Sequence, residues 1–283
     1  MKGGKRPLGY TIIEVMIVLA VSGIMFLIAA SFINGRQEKT SFSQGTNEMA
    51  SRLQDVITQV TDGQYSDVPL NCSTLGGSIA FGGVPNGQGT NPDCIFLGKV
   101  LHFSVNNVTH DYEVISVAGS RLDSTGNQVQ DLGIGPHGAF AQYIPSLTVQ
   151  QIVPQNLDVA EVQVVDSAGT TQYSCGIGFM QSLASINSVT GILNNQAQAV
   201  SMFYVSGLNN NQSGDTSGGG GEHLIYNGLA AAKSVKIYVT DGTRSADIDV
   251  GTNGTSNNGA QLSVTVNVDS GTVPGYSGTT LCP

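Results

Sequence analysis

The chain has 283 residues, enough for a membrane segment and one globular domain with a sizeable core. Its formal net charge is −9, charged residues make up 11% and hydrophobic residues 40%, and tryptophan is absent. The hydrophobic content excludes a disordered chain, and the acidic balance without a basic stripe argues against a nucleic-acid partner, because phosphate neutralisation needs Lys and Arg.

The first predicted element is a membrane helix. Residues 15–35 are uncharged and nearly all apolar, and about 20 such residues span a bilayer as a helix. The basic residues Lys2, Lys5 and Arg6 precede it, and positive charge stays in the cytoplasm. We therefore expect a single-pass segment with its N-terminus inside and the body of the protein outside.

Two general interpretations of this segment leave one residue unexplained. It could be a secretory signal peptide cut near Ala29-Ala30-Ser31, or a plain signal anchor. An acidic residue, Glu14, stands at the mouth of the apolar run. A carboxylate there opposes insertion, so by default it indicates a functional partner.

Residues 5–15, KRPLGYTIIEV, resemble the N-terminal signature of type IV prepilins and type II secretion pseudopilins. That signature is a short basic leader ending in Gly, an aromatic or large apolar residue, a Thr/Ser-Leu/Ile run, and Glu five residues after the cut. Each element is present, and the resemblance covers about residues 1–62. It implies a pilin-like fold in which a long N-terminal helix packs on an antiparallel sheet.

The resemblance also implies roles for the matching positions. Lys2, Lys5 and Arg6 would hold the leader on the cytoplasmic face, Gly9 would be the last leader residue, and a prepilin peptidase would cut after it. Tyr10 would become the new N-terminus and be N-methylated. The family usually has Phe at that place, so Tyr10 is an aromatic departure.

Glu14 would then act in assembly. Cleavage creates a positive amine on Tyr10, and Glu14 of one subunit can neutralise that amine on a neighbour. A buried ion pair stabilises little when its desolvation is counted, but breaking it is costly. We expect the pair to set the register between subunits.

The helix is predicted to continue beyond the membrane, from Tyr10 to Asp62, over about 80 Å at 1.5 Å per residue. After position 35 the pattern becomes amphipathic, with one apolar stripe. The stripe comprises Phe42, Met49, Leu53, Val56, Ile57 and Val60. No proline occurs between positions 10 and 68, so Ser22-Gly23 and Gly45 are the candidates for a bend. The predicted domains are a leader, 1–9, a transmembrane and assembly helix, 10–35, its amphipathic continuation, 36–62, and an extracytoplasmic β-rich domain, 63–283.

Short apolar runs separated by turn residues predict strands in the domain 63–283. They are Ile95–Phe103, Tyr112–Val117, Val159–Val165, Val200–Val205, Val235–Thr240 and Gln261–Val268. Ala139–Val153 is ambiguous and could be a short helix, and Asn209–Gly221 is a flexible surface loop. A long helix followed by many strands indicates the α+β class.

The four cysteines predict two disulfides, since an even count without a metal-ligand spacing is typical of an exported domain. We favour Cys72–Cys94, which closes a local Gly/Asn/Pro-rich loop, and Cys175–Cys282, which fixes the C-terminus. Three pairings are open, and free buried thiols are the alternative.

No catalytic constellation is present: the four histidines are scattered, and no HExxH, G-x-S-x-G or Walker A motif occurs. We expect no enzyme activity and no cofactor. One weak calcium pattern, Asp241, Asp247 and Asp249, lacks a third acid at alternate spacing because Gly251 stands there. An exposed strand face followed by a hairpin turn is the alternative explanation of these residues.

The leading hypothesis is a structural subunit of a type IV pilus-like filament, with other pilins, prepilin peptidase, the inner-membrane assembly platform and, before assembly, the membrane as partners. The chain is large for the most abundant subunit, so a minor subunit is favoured. It would reside in the inner membrane and then in an extracellular or periplasmic filament. The alternatives are a type II secretion pseudopilin, a tip adhesin whose globular domain binds a surface ligand, and a membrane-anchored or secreted enzyme.

Overall fold

The computed structural model describes residues 11–64, 70–72, 79–81, 94–103, 110–120, 141–166, 168–181, 200–205, 229–253 and 261–269. The chain divides into two compact units, 1–44 and 45–283. The predicted leader and the loop 209–221 lie outside the described residues.

One continuous helix, α1 (Ile12–Thr61), has 50 residues and includes both units' helical parts. It begins after Thr11, whose Oγ1 accepts the backbone N–H of Glu14 at 3.3 Å. It ends just before Gly63, which has φ +64°. There the N–H of Gly63 donates to Val60 O and that of Gln64 donates to Gln59 O, which is the Schellman arrangement. The chain is helical through Gly23 and Gly45, the two positions where the sequence allowed a bend.

Twelve strands follow α1 in the described part of the chain. They are β1 (Leu70–Cys72), β2 (Ile79–Phe81), β3 (Cys94–Phe103), β4 (Asp111–Ser120), β5 (Gln142–Ile152), β6 (Asp158–Asp166), β7 (Thr171–Tyr173), β8 (Gly176–Gln181), β9 (Val200–Val205), β10 (Leu229–Thr240), β11 (Ser245–Asn253) and β12 (Gln261–Asp269). A 3-10 turn, Pro154–Asn156, joins β5 to β6.

All described strand pairs are antiparallel. β1 and β2 form a two-stranded sheet, and the other ten strands form one sheet in the order β12-β11-β10-β9-β8-β3-β4-β5. β6 lies off this path, paired with β10 and β7. The first four residues of β10 pair with β9, and the stretch from Ala232 to Thr240 pairs with β6. The sheet therefore divides into two branches at β10.

The C-terminal part of α1 buries the apolar stripe. Met49, Leu53 and Val60 are fully buried, as are Leu101 and Phe103 on β3. Polar contacts fix this packing: Gln181 Nε2 on β8 donates to Val60 O at 2.6 Å, and the Lys99 ammonium on β3 donates to Gln59. The sequence prediction of a helix whose second half packs on an antiparallel sheet is confirmed.

The opposite face of β3 and β4 holds a second apolar cluster. It comprises Leu97, Val100, Ile115, Val117, Ala141, Met180 and Val205. Both faces of the central strands are thus buried, and apolar residues occupy both faces of β3 and β4.

All six predicted strands are present. The interpretation of Ala139–Val153 as a short helix is wrong for its described part, because Gln142–Ile152 forms β5, which pairs with β4 from Asp111 to Ala118. A register irregularity between Val114 and Ser116 accommodates extra residues of β5 there. That irregularity hides the two-residue period in the sequence.

Candidate functional site

The N-terminal part of α1 presents an apolar surface to its surroundings. The window Ile12–Ala29 has a mean hydropathy of 2.7 and none of it is buried. Its large side chains are between 47% and 82% exposed. They are Ile12, Ile13, Val15, Met16, Ile17, Val18, Leu19, Val21, Ile24, Met25, Phe26, Leu27 and Ile28. By length and composition this helix can cross a membrane.

Glu14 lies in the first turn of α1 and is the one charged residue of the window 12–29. Its backbone N–H is held by both Thr11 O at 3.1 Å and Thr11 Oγ1 at 3.3 Å. The Thr-x-x-Glu spacing matches a capping box. The structure therefore places a carboxylate at the start of an exposed apolar helix.

Residues 4–30 match the sequence model described as the prokaryotic N-terminal methylation motif. The chain carries the prepilin and pseudopilin signature. This pilin-type motif supports membership of the type IV pilin or pseudopilin family and indicates a structural subunit. It implies processing by prepilin peptidase and assembly with other pilins, and it fits a membrane-anchored precursor. No curated protein and no solved structure matches the chain.

The predicted leader residues Lys2, Lys5, Arg6 and Gly9, and the predicted methylation site Tyr10, lie outside the described residues. Of these, all but Lys2 fall within the matched motif. Their individual roles stay predictions.

The cysteine positions are described in part. Cys175 is disulfide-bonded and fully buried between β7 and β8. Cys72 ends β1 and Cys94 begins β3, and Cys282 lies outside the described residues. The pairing Cys175–Cys282 and the pairing Cys72–Cys94 stay predictions.

The weak calcium candidates occupy two different environments. Asp241 lies in the β10–β11 turn, where its Oδ1 accepts the N–H groups of Thr243 at 2.8 Å and Arg244 at 2.7 Å. Burial alone would raise the pKa of Asp241, but these hydrogen bonds outweigh burial and lower it. Asp241 therefore stabilises the turn that also places Gly242 at φ +86°.

Asp247 and Asp249 instead share a surface network on the branch formed by β10, β11 and β12. The Lys236 ammonium lies 3.2 Å from Asp247 Oδ2 and 3.4 Å from Asp249 Oδ1. Asn267 Nδ2 donates to both carboxylates, at 3.1 and 3.0 Å. Lys236 and Asn267 were not singled out from sequence, although cross-strand register would have placed them opposite β11.

The two histidines that the structure describes, His102 and His110, contact different acids. His102 is buried on β3 with its Nδ1 3.8 Å from Glu113 Oε2 on β4. The Nδ1 of His110 contacts Asp158 Oδ1 at the surface. Within the described residues, no group of three or more His, Cys, Asp or Glu side chains could hold a metal ion.

Proposed function

We propose that this protein is a minor subunit of a type IV pilus-like filament, cut between Gly9 and Tyr10, N-methylated at Tyr10 and polymerised through α1. The observation that carries the proposal is the methylation motif at 4–30 on a helix whose window Ile12–Ala29 is entirely exposed. Such an apolar surface needs lipid before assembly and neighbouring helices afterwards. One helix can meet both needs in turn.

Glu14 supplies the specific part of that assembly. After cleavage the Tyr10 amine is positive, and Glu14 follows it four positions later in the sequence. Between subunits, the carboxylate and the amine would form an ion pair inside an apolar helix bundle. Removing one partner leaves an uncompensated buried charge, which costs about 3–5 kcal/mol. A misregistered subunit would incur the same penalty, so the pair selects one axial register.

The N-terminus tests the proposal directly. Mass spectrometry of the N-terminal peptide would be made on protein sheared from the cell surface. A peptide that begins at Tyr10 and has one extra methyl group is expected. A processed peptide confined to the membrane fraction would favour a pseudopilin, and a peptide that begins near Ser31 or at Met1 would refute the prepilin assignment.

Replacing the acid tests its role apart from processing. In Glu14→Ala we expect cleavage to proceed and incorporation into sheared filaments to fall at least tenfold, as an unpaired buried amine implies. Asp55→Ala is the matched control, since Asp55 is an exposed acid on the same helix outside the apolar window. Normal incorporation of the Glu14 variant would contradict the assembly role and leave the processing result intact.

A further inference from the structure

The turn between β5 and β6 has an unusual backbone. Gln155 has φ +57° and ψ +30°, and Asn156 has φ +53°. Both lie in the left-handed region, which residues with a Cβ rarely adopt and which costs them free energy. Two such residues in succession, neither of them glycine, persist only when their surroundings hold them.

The backbone of α1 provides that hold at Gly45. A Cβ placed on Gly45 would lie 2.9 Å from Gln155 Cβ and 2.9 Å from Leu157 Cδ1. Gly45 and Leu157 are both buried. The helix backbone therefore presses directly on the turn, at a distance that only glycine allows.

The chain before the turn is held by two further hydrogen bonds, one with α1 itself and one with the residue before β4. Arg52 Nη1, two turns along α1 from Gly45, donates to Ile152 O at 2.8 Å. The N–H of Val153 donates to His110 O at 2.6 Å. Within the turn, the N–H of Leu157 donates to Pro154 O at 3.2 Å. The segment between these hydrogen bonds and β6 is thus short, from Pro154 to Leu157.

We propose that Gly45 and the turn Pro154–Leu157 form a latch. In the closed state the helix backbone holds Gln155 and Asn156 in the left-handed region. When α1 moves away at Gly45, the two residues relax to right-handed values and the Leu157 hydrogen bond opens. The latch couples the seating of α1 at Gly45 to the conformation of the β5–β6 connection, because a packed contact of this kind has two discrete arrangements.

Hydrogen exchange of the full chain in detergent micelles tests the latch. In Gly45→Ala we expect exchange of peptides covering 153–157 to rise about tenfold, with β10–β11 peptides unchanged. Helix propensity alone predicts the opposite, since alanine stabilises a helix relative to glycine. Gly23→Ala is the matched control, because a Cβ there meets nothing within 4 Å, and it should leave both sets of peptides unchanged. Unchanged exchange at 153–157 in Gly45→Ala would overturn the proposal.

Two further variants keep the test decisive if Gly45→Ala unfolds the whole domain. Gln155→Gly removes the Cβ and Cγ that a methyl group at position 45 would meet and leaves Leu157 Cδ1, the end of a side chain that can rotate away. Gly45→Ala in that background should therefore raise exchange no more than about twofold. Asn156→Gly removes the cost of the left-handed backbone, so it should slow exchange at 153–157. The latch would be overturned if Gly45→Ala raised exchange as much in the Gln155→Gly background as in the parent chain. It would also be overturned if Asn156→Gly exchanged as fast as the parent chain or faster. Neither readout depends on filament assembly.

Discussion

Asp247 and Asp249 are two positions apart on β11 and both contact Lys236 and Asn267. Their pKa values nevertheless shift in opposite directions. Burial alone would raise the pKa of Asp247, but hydrogen bonds from Asn267 and Lys236 outweigh it and lower that pKa. The pKa of Asp249 is raised, first by burial and then by the neighbouring Asp247 carboxylate, against the attraction of Lys236. One acid of the pair therefore stabilises the fold in its ionised form and the other does not.

This difference predicts opposite effects of two matched substitutions. Asp247 contributes stability that is present above its unfolded pKa of about 3.9 and is lost as pH falls through its lower folded pKa. Asp249 contributes stability that is present below that unfolded pKa and is lost as pH rises through its higher folded pKa. At pH 7 we expect Asp247→Asn to lower the free energy of unfolding by less than about 1 kcal/mol, as is usual for partly exposed pairs. Asp249→Asn should leave it unchanged or higher.

Thermal unfolding of both variants at pH 7 and pH 4 would measure the contribution of each carboxylate to stability. The difference in unfolding midpoint between the two variants should be smaller at pH 4 than at pH 7, because Asp249 of the parent protein is protonated to a greater extent at pH 4. Equal losses in both variants at pH 7 would show that the carboxylates are equivalent.

Gly98 predicts a much larger single-residue effect. It follows a register irregularity in the β3–β4 pairing and pairs with Met180 on β8. A Cβ there would lie 2.0 Å from Phe179 O and 2.7 Å from Met180 Cα, so the backbones of β3 and β8 would have to separate. We expect Gly98→Ala to cost about 3 kcal/mol or more and to lower the midpoint of thermal unfolding by about 10 °C.

Gly251→Ala on β11 is the control for this steric argument, because a Cβ at Gly251 meets nothing within 4 Å. Its midpoint should lie within about 2 °C of the parent value, as for a surface change. Similar losses in the two variants would mean that strand propensity, rather than the close approach of β8, decides the cost at Gly98.

At the scale of elements, Arg52 joins α1 to the end of β5. Its Nη1 donates to Ile152 O at 2.8 Å and to Gln151 Oε1 at 3.4 Å, and its Nη2 donates to Glu48 at 2.6 Å. The planar guanidinium can make these bonds at once, whereas a lysine ammonium is a single point.

We therefore expect Arg52→Lys to lower the free energy of unfolding by about 1 kcal/mol, the usual net value of a hydrogen bond. The measurement is chemical unfolding followed by tyrosine fluorescence, since the chain has no tryptophan. Arg36→Lys is the control, because Arg36 is exposed on the same helix. A loss no greater than that of the control would show that the guanidinium geometry adds nothing.

What the sequence predicts of these elements depends on how local their signals are. The helix α1 could be predicted because its apolar run, its stripe and its Gly63 ending are all within one segment. β8 (GIGFMQ) was missed and β11 (SADIDVGTN) was only the alternative to a calcium pattern, since glycines and alternating aspartates resemble turn and metal-loop patterns. Their strand character comes from partners distant in sequence, such as Gly178 opposite Val100. The left-handed turn at Gln155 was missed for the same reason, because the contact that holds it is tertiary.

At the scale of the whole molecule, the disulfide of Cys175 joins a buried point between β7 and β8 to a partner elsewhere in the chain. The predicted partner, Cys282, would close a loop of about 100 residues, and removing such a bond costs typically about 2–4 kcal/mol. Peptide mapping without reduction should yield a Cys175–Cys282 cross-linked peptide, and reduction should lower the unfolding midpoint. A peptide that links Cys175 to Cys72 or Cys94 would contradict this pairing.

The division of the sheet at β10 has a consequence for maturation of the protein. Among the described strands, the long partner of β6 is β10, with Val164 opposite Val235, and pairings that join residues roughly 70 positions apart form slowly. Under the proposed topology, a chain whose helix α1 is already inserted in the membrane would therefore wait with the edge of β6 open until β10 has crossed. Open strand edges promote aggregation, so the pairing of β6 with β10, rather than helix insertion, is the expected slow step of maturation.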